Sequence, residues 1–162
     1  METTFQFLEK VYLPGYMTIS SEHYDGKRGV FDAQPKEPLV TILSSHYLTP
    51  GGSHIIISQA GICLVEHLAG QGELDLDLES FRNLTCEGRL KLIELNQKFR
   101  RELPVDSYLQ ARFTLTKFKQ GRIPVVQMDF DLGDRAFIGD LTCVIAPKPI
   151  PQMNADILRD RN

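Results

Sequence analysis

Residues 46–68 read HYLTPGGSHIIISQAGICLVEHL, and their pattern decides the fold. From Ser53 to Leu68 apolar side chains fall on almost every side of a helix, so no side can face water and other structure must wrap the segment. Pro50-Gly51-Gly52 reads as the turn before this helix, with Ser53 as the expected N-cap, and Gly70 to Gly72 ends it. The first N–H groups of such a helix lack partners inside it. With the helix dipole, they can stabilise a developing negative charge.

Outward from the helix, the flanking segments read as a sheet. Upstream, Phe5, Leu8 and Tyr12 recur at helical spacing before Pro14-Gly15 stops a short lead-in helix over 3–13. Two extended pieces over 16–34 flank Asp25-Gly26, a dipeptide suited to a tight hairpin turn, and the chain extends again over 39–48. Downstream, a leucine-and-acid stretch turns helical near 79–83. Residues 89–101 are then extended, with Ile93, Leu95 and Phe99 expected on one side. Leu109, Ala111, Phe113 and Leu115 alternate with polar residues, as do Val126, Met128, Phe130 and Leu132. With 136–146 these make a four-strand antiparallel meander in chain order. Pro147 to Gln152 breaks the sheet, and a terminal helix is expected beyond it.

The composition of 162 residues, 42% hydrophobic and 24% charged, suits one ordinary globular domain. With 18 basic against 21 acidic side chains, no field of one sign favours nucleic acid or an anionic membrane surface. Cys63, Cys86 and Cys143 are odd in number and far apart, which fits neither a disulfide framework nor a zinc site, so no metal is expected. No membrane span and no export signal is read, which makes the cytoplasm the expected location.

The order of helix, two strands, long buried helix and strand meander is similar to that of the hotdog superfamily. This implies an α+β domain over 1–149, a curved antiparallel sheet wrapped around a long central helix, with 150–162 as a C-terminal tail. Hotdog relatives imply an enzyme, without a cofactor, acting on acyl thioesters of coenzyme A or acyl carrier protein. They imply at least a homodimer, with a trimer of dimers as the larger assembly, and an apolar tunnel for the acyl tail beside the helix. The segment PGGSHIIISQAG is similar to the HGG pattern of one hotdog thioesterase group, but Pro50 stands in place of its His and Gln59 in place of its acid. A carboxamide is not a base, so acid-based chemistry is not expected.

The chain more closely resembles the FcoT type of long-chain fatty acyl-CoA thioesterase, through KVYLPGY, LIELNQKFRRELP and IPVVQMDFDLGDRAFIGDLTCVIA. The resemblance implies catalytic roles for Tyr47 ahead of the helix, for Tyr16 in LPGY, and for Gln59 as the mid-helix carboxamide, with Ser53 or His54 standing for an asparagine at the helix start. Gly51, Gly52 and Ser53 would bind the thioester carbonyl through backbone N–H groups, a type of contact worth about 3 to 4 kcal/mol where one donor has been removed.

Each residue also has a plainer reading. Gln59 among isoleucines needs a partner, because leaving it unpaired costs about 1 to 3 kcal/mol. It therefore either faces substrate or bonds to backbone. His54 and Ser58 share a helix face and lie about 140° from Gln59 in the case of His54, so both cannot easily reach one carbonyl from one chain. His54 is either a base or a local hydrogen-bonding residue, and a Ser58–His54 nucleophile pair lacks an orienting acid. Arg100 and Arg101, with Lys117, Lys119 and Arg122, could meet the phosphates of coenzyme A or of a carrier protein's arm, or could simply protect sheet edges from aggregation. Hydrolysis is the leading reading. Addition of water or an amine to an enoyl thioester, and non-catalytic acyl binding, are the alternatives.

Overall fold

The computed structural model describes residues 3–13, 15–35, 48–105 and 108–146. The expected extension over 39–47, the tail over 150–162 and Tyr47 itself lie outside the described residues. Helix α1 spans Thr4–Val11, followed by strands β1 (Ile19–Asp25) and β2 (Arg28–Ala33). The central helix α2 spans Pro50–Gly70, the short helix α3 spans Leu78–Cys86, and β3 (Leu90–Phe99), β4 (Leu109–Lys119), β5 (Val125–Leu132) and β6 (Phe137–Ile145) complete the fold.

The strands form one antiparallel sheet in the order β1-β2-β4-β5-β6-β3. The architecture is α+β as expected, but the meander is shorter. Only β4, β5 and β6 follow one another in space, because α2 and α3 carry the chain across to the far edge, where β3 pairs with β6 instead of β4. That placement changes which β3 side chains meet the core. A register shift between Leu92 and Glu94 reverses the alternation, so Leu92 pairs with Cys143 before it while Leu95 pairs with Leu141 and Phe99 with Phe137 after it. Ile93 falls at the shift and is 60% exposed, away from the side expected for it.

The all-round apolar character of α2 is explained by its surroundings. Ile56, Leu64 and Leu68 are sealed among Phe31, Phe113 and Leu132 of the sheet and Phe7, Leu8 and Phe81 of the two short helices. Burying each such side chain is worth about 1.5 to 3 kcal/mol, so this one helix organises the core.

Candidate functional site

Helix α2 begins one turn earlier than the glycines suggest. Thr49 is the N-cap, its hydroxyl accepting from the Gly52 N–H at 3.1 Å, and Pro50 takes the first helical position, where no N–H is needed. Gly51 and Gly52 are thus helical instead of forming a turn, and Ser53 is not the cap. The Ser53 N–H donates to the Thr49 carbonyl at 2.9 Å. Its hydroxyl lies 2.7 Å from the Pro50 carbonyl and 3.2 Å from the Gln97 side chain, which pins the helix start over β3. Two of the three N–H groups expected to hold a carbonyl, those of Gly52 and Ser53, are therefore occupied; Gly51 is the exposed glycine of that first turn.

Gln59 is fully buried and bonded at both ends of its amide. Its Oε1 accepts from the Thr18 N–H at 2.9 Å, the Thr18 hydroxyl at 2.8 Å and the Ile19 N–H at 3.3 Å, while Nε2 donates to the Tyr16 carbonyl at 2.8 Å. The amide supplies buried backbone at the entry to β1 with partners that a neighbouring strand would otherwise provide. The backbone-bonded reading of Gln59 thus describes its position, within one chain, and Tyr16 meets it through a main-chain carbonyl.

One residue earlier on the helix, Ser58 is half-buried and faces a cavity of about 270 Å³. Ile57, Gly61 and Val65 of α2 line it, with Leu92 and Met128 from the sheet. Tyr12, just past the end of α1, lines the same cavity, with its phenol near the Ser58 hydroxyl. Burial, partly offset by the neighbouring Ser58 hydroxyl, pushes the Tyr12 phenol up to about 12, so it stays a neutral donor through ordinary pH. Tyr12 was readable only as an apolar position of α1; its part in the cavity depends on where the chain turns after Val11. A wider hollow of about 760 Å³ beside β3 is a more open groove, with Leu95, Phe130 and Ile138 in its lining and exposed Asn96, Lys98, Asp129 and Asp140 at its borders.

His54 is exposed one turn before Ser58 on the same face, so the face runs from the helix start to the cavity as His54, Ser58 and then Ile62. The cations separate into two groups. Arg100 follows β3 three residues after Gln97 and so lies near the start of α2, whereas Lys117, Lys119 and Arg122 lie at the opposite end of the sheet, where Lys119 pairs with Val125. A ten-residue strand is about 33 Å long, too far for both groups to serve one phosphate group. Arg101 donates to the Gly133 carbonyl at 2.6 Å and secures the β5–β6 turn.

On the far side of α2, Glu66 is buried and its Oε1 accepts from Arg82 Nε at 2.7 Å. Burial raises its carboxyl above the usual range and Arg82 opposes that rise. This ion pair ties α2 to α3 and does not reach the cavity. Among the described residues, no group of three or more His, Cys, Asp or Glu could hold a metal ion, and no helix is long and apolar enough to cross a membrane.

Comparison with protein-family models and with curated proteins returned no match. Solved structures do match over most of the chain. A proposed thioesterase from Shewanella oneidensis superposes with a TM-score of 0.57 at 17% identity, covering 86% of this chain and 93% of its own. A hypothetical thioesterase from Streptococcus pneumoniae TIGR4, solved with coenzyme A, gives 0.56 at 12% identity and covers 91% and 100%. A proposed thioesterase from Syntrophus aciditrophicus gives 0.57 at 11% identity over 88% and 95%. At such identities the likeness establishes the fold, the hotdog fold, and leaves the chemistry to the residues of this chain.

Proposed function

We propose that this hotdog domain is a thioesterase that hydrolyses a fatty acyl thioester of coenzyme A or acyl carrier protein. The observation that carries the reading is the apolar cavity against α2 whose lining includes the Tyr12 and Ser58 hydroxyls. The acyl tail enters the cavity and the thioester carbonyl stops at the two hydroxyls, which donate to it. His54, on the same face towards solvent, takes a proton from an incoming water as that water attacks the carbonyl carbon. The tetrahedral intermediate collapses, the carbon–sulfur bond breaks, and His54 returns the proton to the departing thiolate. Arg100 is the better placed of the two expected arginines for the phosphates of the carrier.

Gln59 has a different part here from polarising substrate: it positions the chain that leads from Tyr16 into β1. A FcoT-type active site built on Tyr47 and Tyr16 is replaced in this reading by one built on Tyr12, Ser58 and His54.

The working unit is at least a homodimer. Strand β3 lies at the sheet edge and exposes Leu92, Ile93 and Phe99, a row that a second copy can cover by pairing its own β3. Ile93→Lys should shift the protein towards monomer in light scattering coupled to size exclusion; an unchanged mass places the contact elsewhere.

The decisive test incubates purified protein with acyl-CoA and acyl-carrier thioesters and measures released thiol. Binding without thiol release ends the hydrolase reading. Enoyl thioesters analysed by mass spectrometry distinguish hydrolysis from addition, because addition changes the mass and leaves the thioester intact.

A further inference from the structure

The dimensions of the cavity restrict the acyl chain that can occupy it, an inference that rests on the thioester reading above. We infer that the site selects straight acyl chains of about ten carbons and that Gly61 and Val65 set this limit. Two independent dimensions agree. A dry cavity of about 150 Å³ holds the six carbons of benzene, or ~25 Å³ per carbon, so a volume near 270 Å³ takes about eleven carbons. Along α2 the lining runs from Ile57 to Val65, about 12 Å at the helical rise. A carbon–carbon bond of about 1.5 Å at the tetrahedral angle advances ~1.25 Å, so that length matches about ten bonds.

The lining also restricts the chemistry of the chain. Beyond the Tyr12–Ser58 pair the polar groups are few: the Thr85 hydroxyl already donates to the Phe81 carbonyl at 2.9 Å, and Cys143 offers only a weakly polar thiol. A hydroxylated chain would surrender its water and find no equivalent partner among the described residues, so unsubstituted hydrocarbon is favoured.

Gly61 is the residue that keeps the cavity open at its middle. A Cβ at this position would lie 3.2 Å from Met128 Cε, and both residues line the same space. Glycine inside a helix is destabilising relative to alanine, and the open width at this point gives that cost a purpose. Position 61 is halfway between Ile57 and Val65, so a side chain there divides the cavity and leaves about 6 Å, room for about five carbons. Val65 is the α2 lining residue farthest from Ser58 along the helix, and a smaller side chain there deepens the space.

Binding of butanoyl to hexadecanoyl coenzyme A, measured by calorimetry on the intact protein beside thiol release, tests the inference. Affinity should rise about fourfold per added carbon to decanoyl and then stop rising. In Gly61→Val the maximum should move to hexanoyl or shorter, and in Val65→Ala it should move to dodecanoyl. Should Gly61→Val fail to fold, the opposite shift in Val65→Ala still decides. A flat chain-length profile, a maximum at tetradecanoyl or beyond, or a maximum that neither variant moves overturns the inference. Length-selective binding without thiol release upholds it while ending the hydrolase reading; thiol release without length preference does the reverse; no binding at all ends both.

Discussion

Ser58 and Gln59 are neighbours on one helix and have opposite surroundings. Gln59 is sealed against the entry to β1 with its amide bonded at both ends, while Ser58, about 100° round the helix, meets Tyr12 at a cavity. The face with the more unusual residue is the structural one. A lone carboxamide in an apolar helix attracts attention as a reactive group, yet burial raises the demand for partners and here backbone meets it. Glu66 follows the same logic, since its charge is met by Arg82. The plainer face, with a serine, a histidine and a glycine, is the one beside open space.

Gln59→Ala should break this comparison with the largest effect. It leaves the buried N–H groups of Thr18 and Ile19 without an acceptor, at about 1 to 3 kcal/mol each, so a loss of about 3 kcal/mol is expected. In a chain of this size that lowers the melting temperature by roughly 6 to 12 °C. Unchanged melting with abolished turnover would reverse the assignment of the two faces.

His54→Ala should act the other way. The side chain is exposed, so melting stays within about 0.5 kcal/mol of the parent. The value of kcat/KM should fall about 100-fold, in line with loss of a general base. Full turnover in this variant would remove His54 from the mechanism.

Tyr12→Phe sharpens the same contrast with a smaller change. Loss of the hydroxyl should cost about tenfold in kcat, since a donor to the carbonyl is lost while the ring still fills the cavity wall. Equal kinetics in the two proteins would make Tyr12 a packing residue only.

The last contrast concerns pH. The folded phenol of Tyr12 titrates near 12 against an ordinary value of 10.0, so between those values the folded state holds a proton that the unfolded chain has lost. Its contribution to stability is therefore complete below pH 10 and declines as pH rises towards 12. Denaturant melts across that window should show a shallower decline in Tyr12→Phe; identical slopes would mean that the phenol is not shielded from water.

Much of the fold was legible because it follows from local pattern. The all-round apolar run of α2, the alternation through β4 and β5, and the Asp25-Gly26 hairpin each follow from periodicity or turn chemistry within a few residues. The position of β3 was not legible, since strand pairing depends on where the intervening helices carry the chain. The start of α2 was misplaced by one turn because glycines suggest a turn, whereas Thr49 capping and Pro50 at the first position draw them into the helix. The cavity was anticipated only as a tunnel beside the helix. Tyr12 was visible as an apolar position and not as a site residue.

The sequence by itself determined that one helix would be buried on every side, that a largely antiparallel sheet would wrap it, and that a carboxamide within it would require a partner. These are short-range consequences of hydrophobic periodicity and of the cost of burying unpaired polar groups. Only the tertiary structure decided which partner Gln59 takes, which strand becomes the exposed edge, and which face of α2 borders a cavity. Those outcomes depend on elements distant in the chain meeting in three dimensions, and no local pattern encodes the empty space they leave between them.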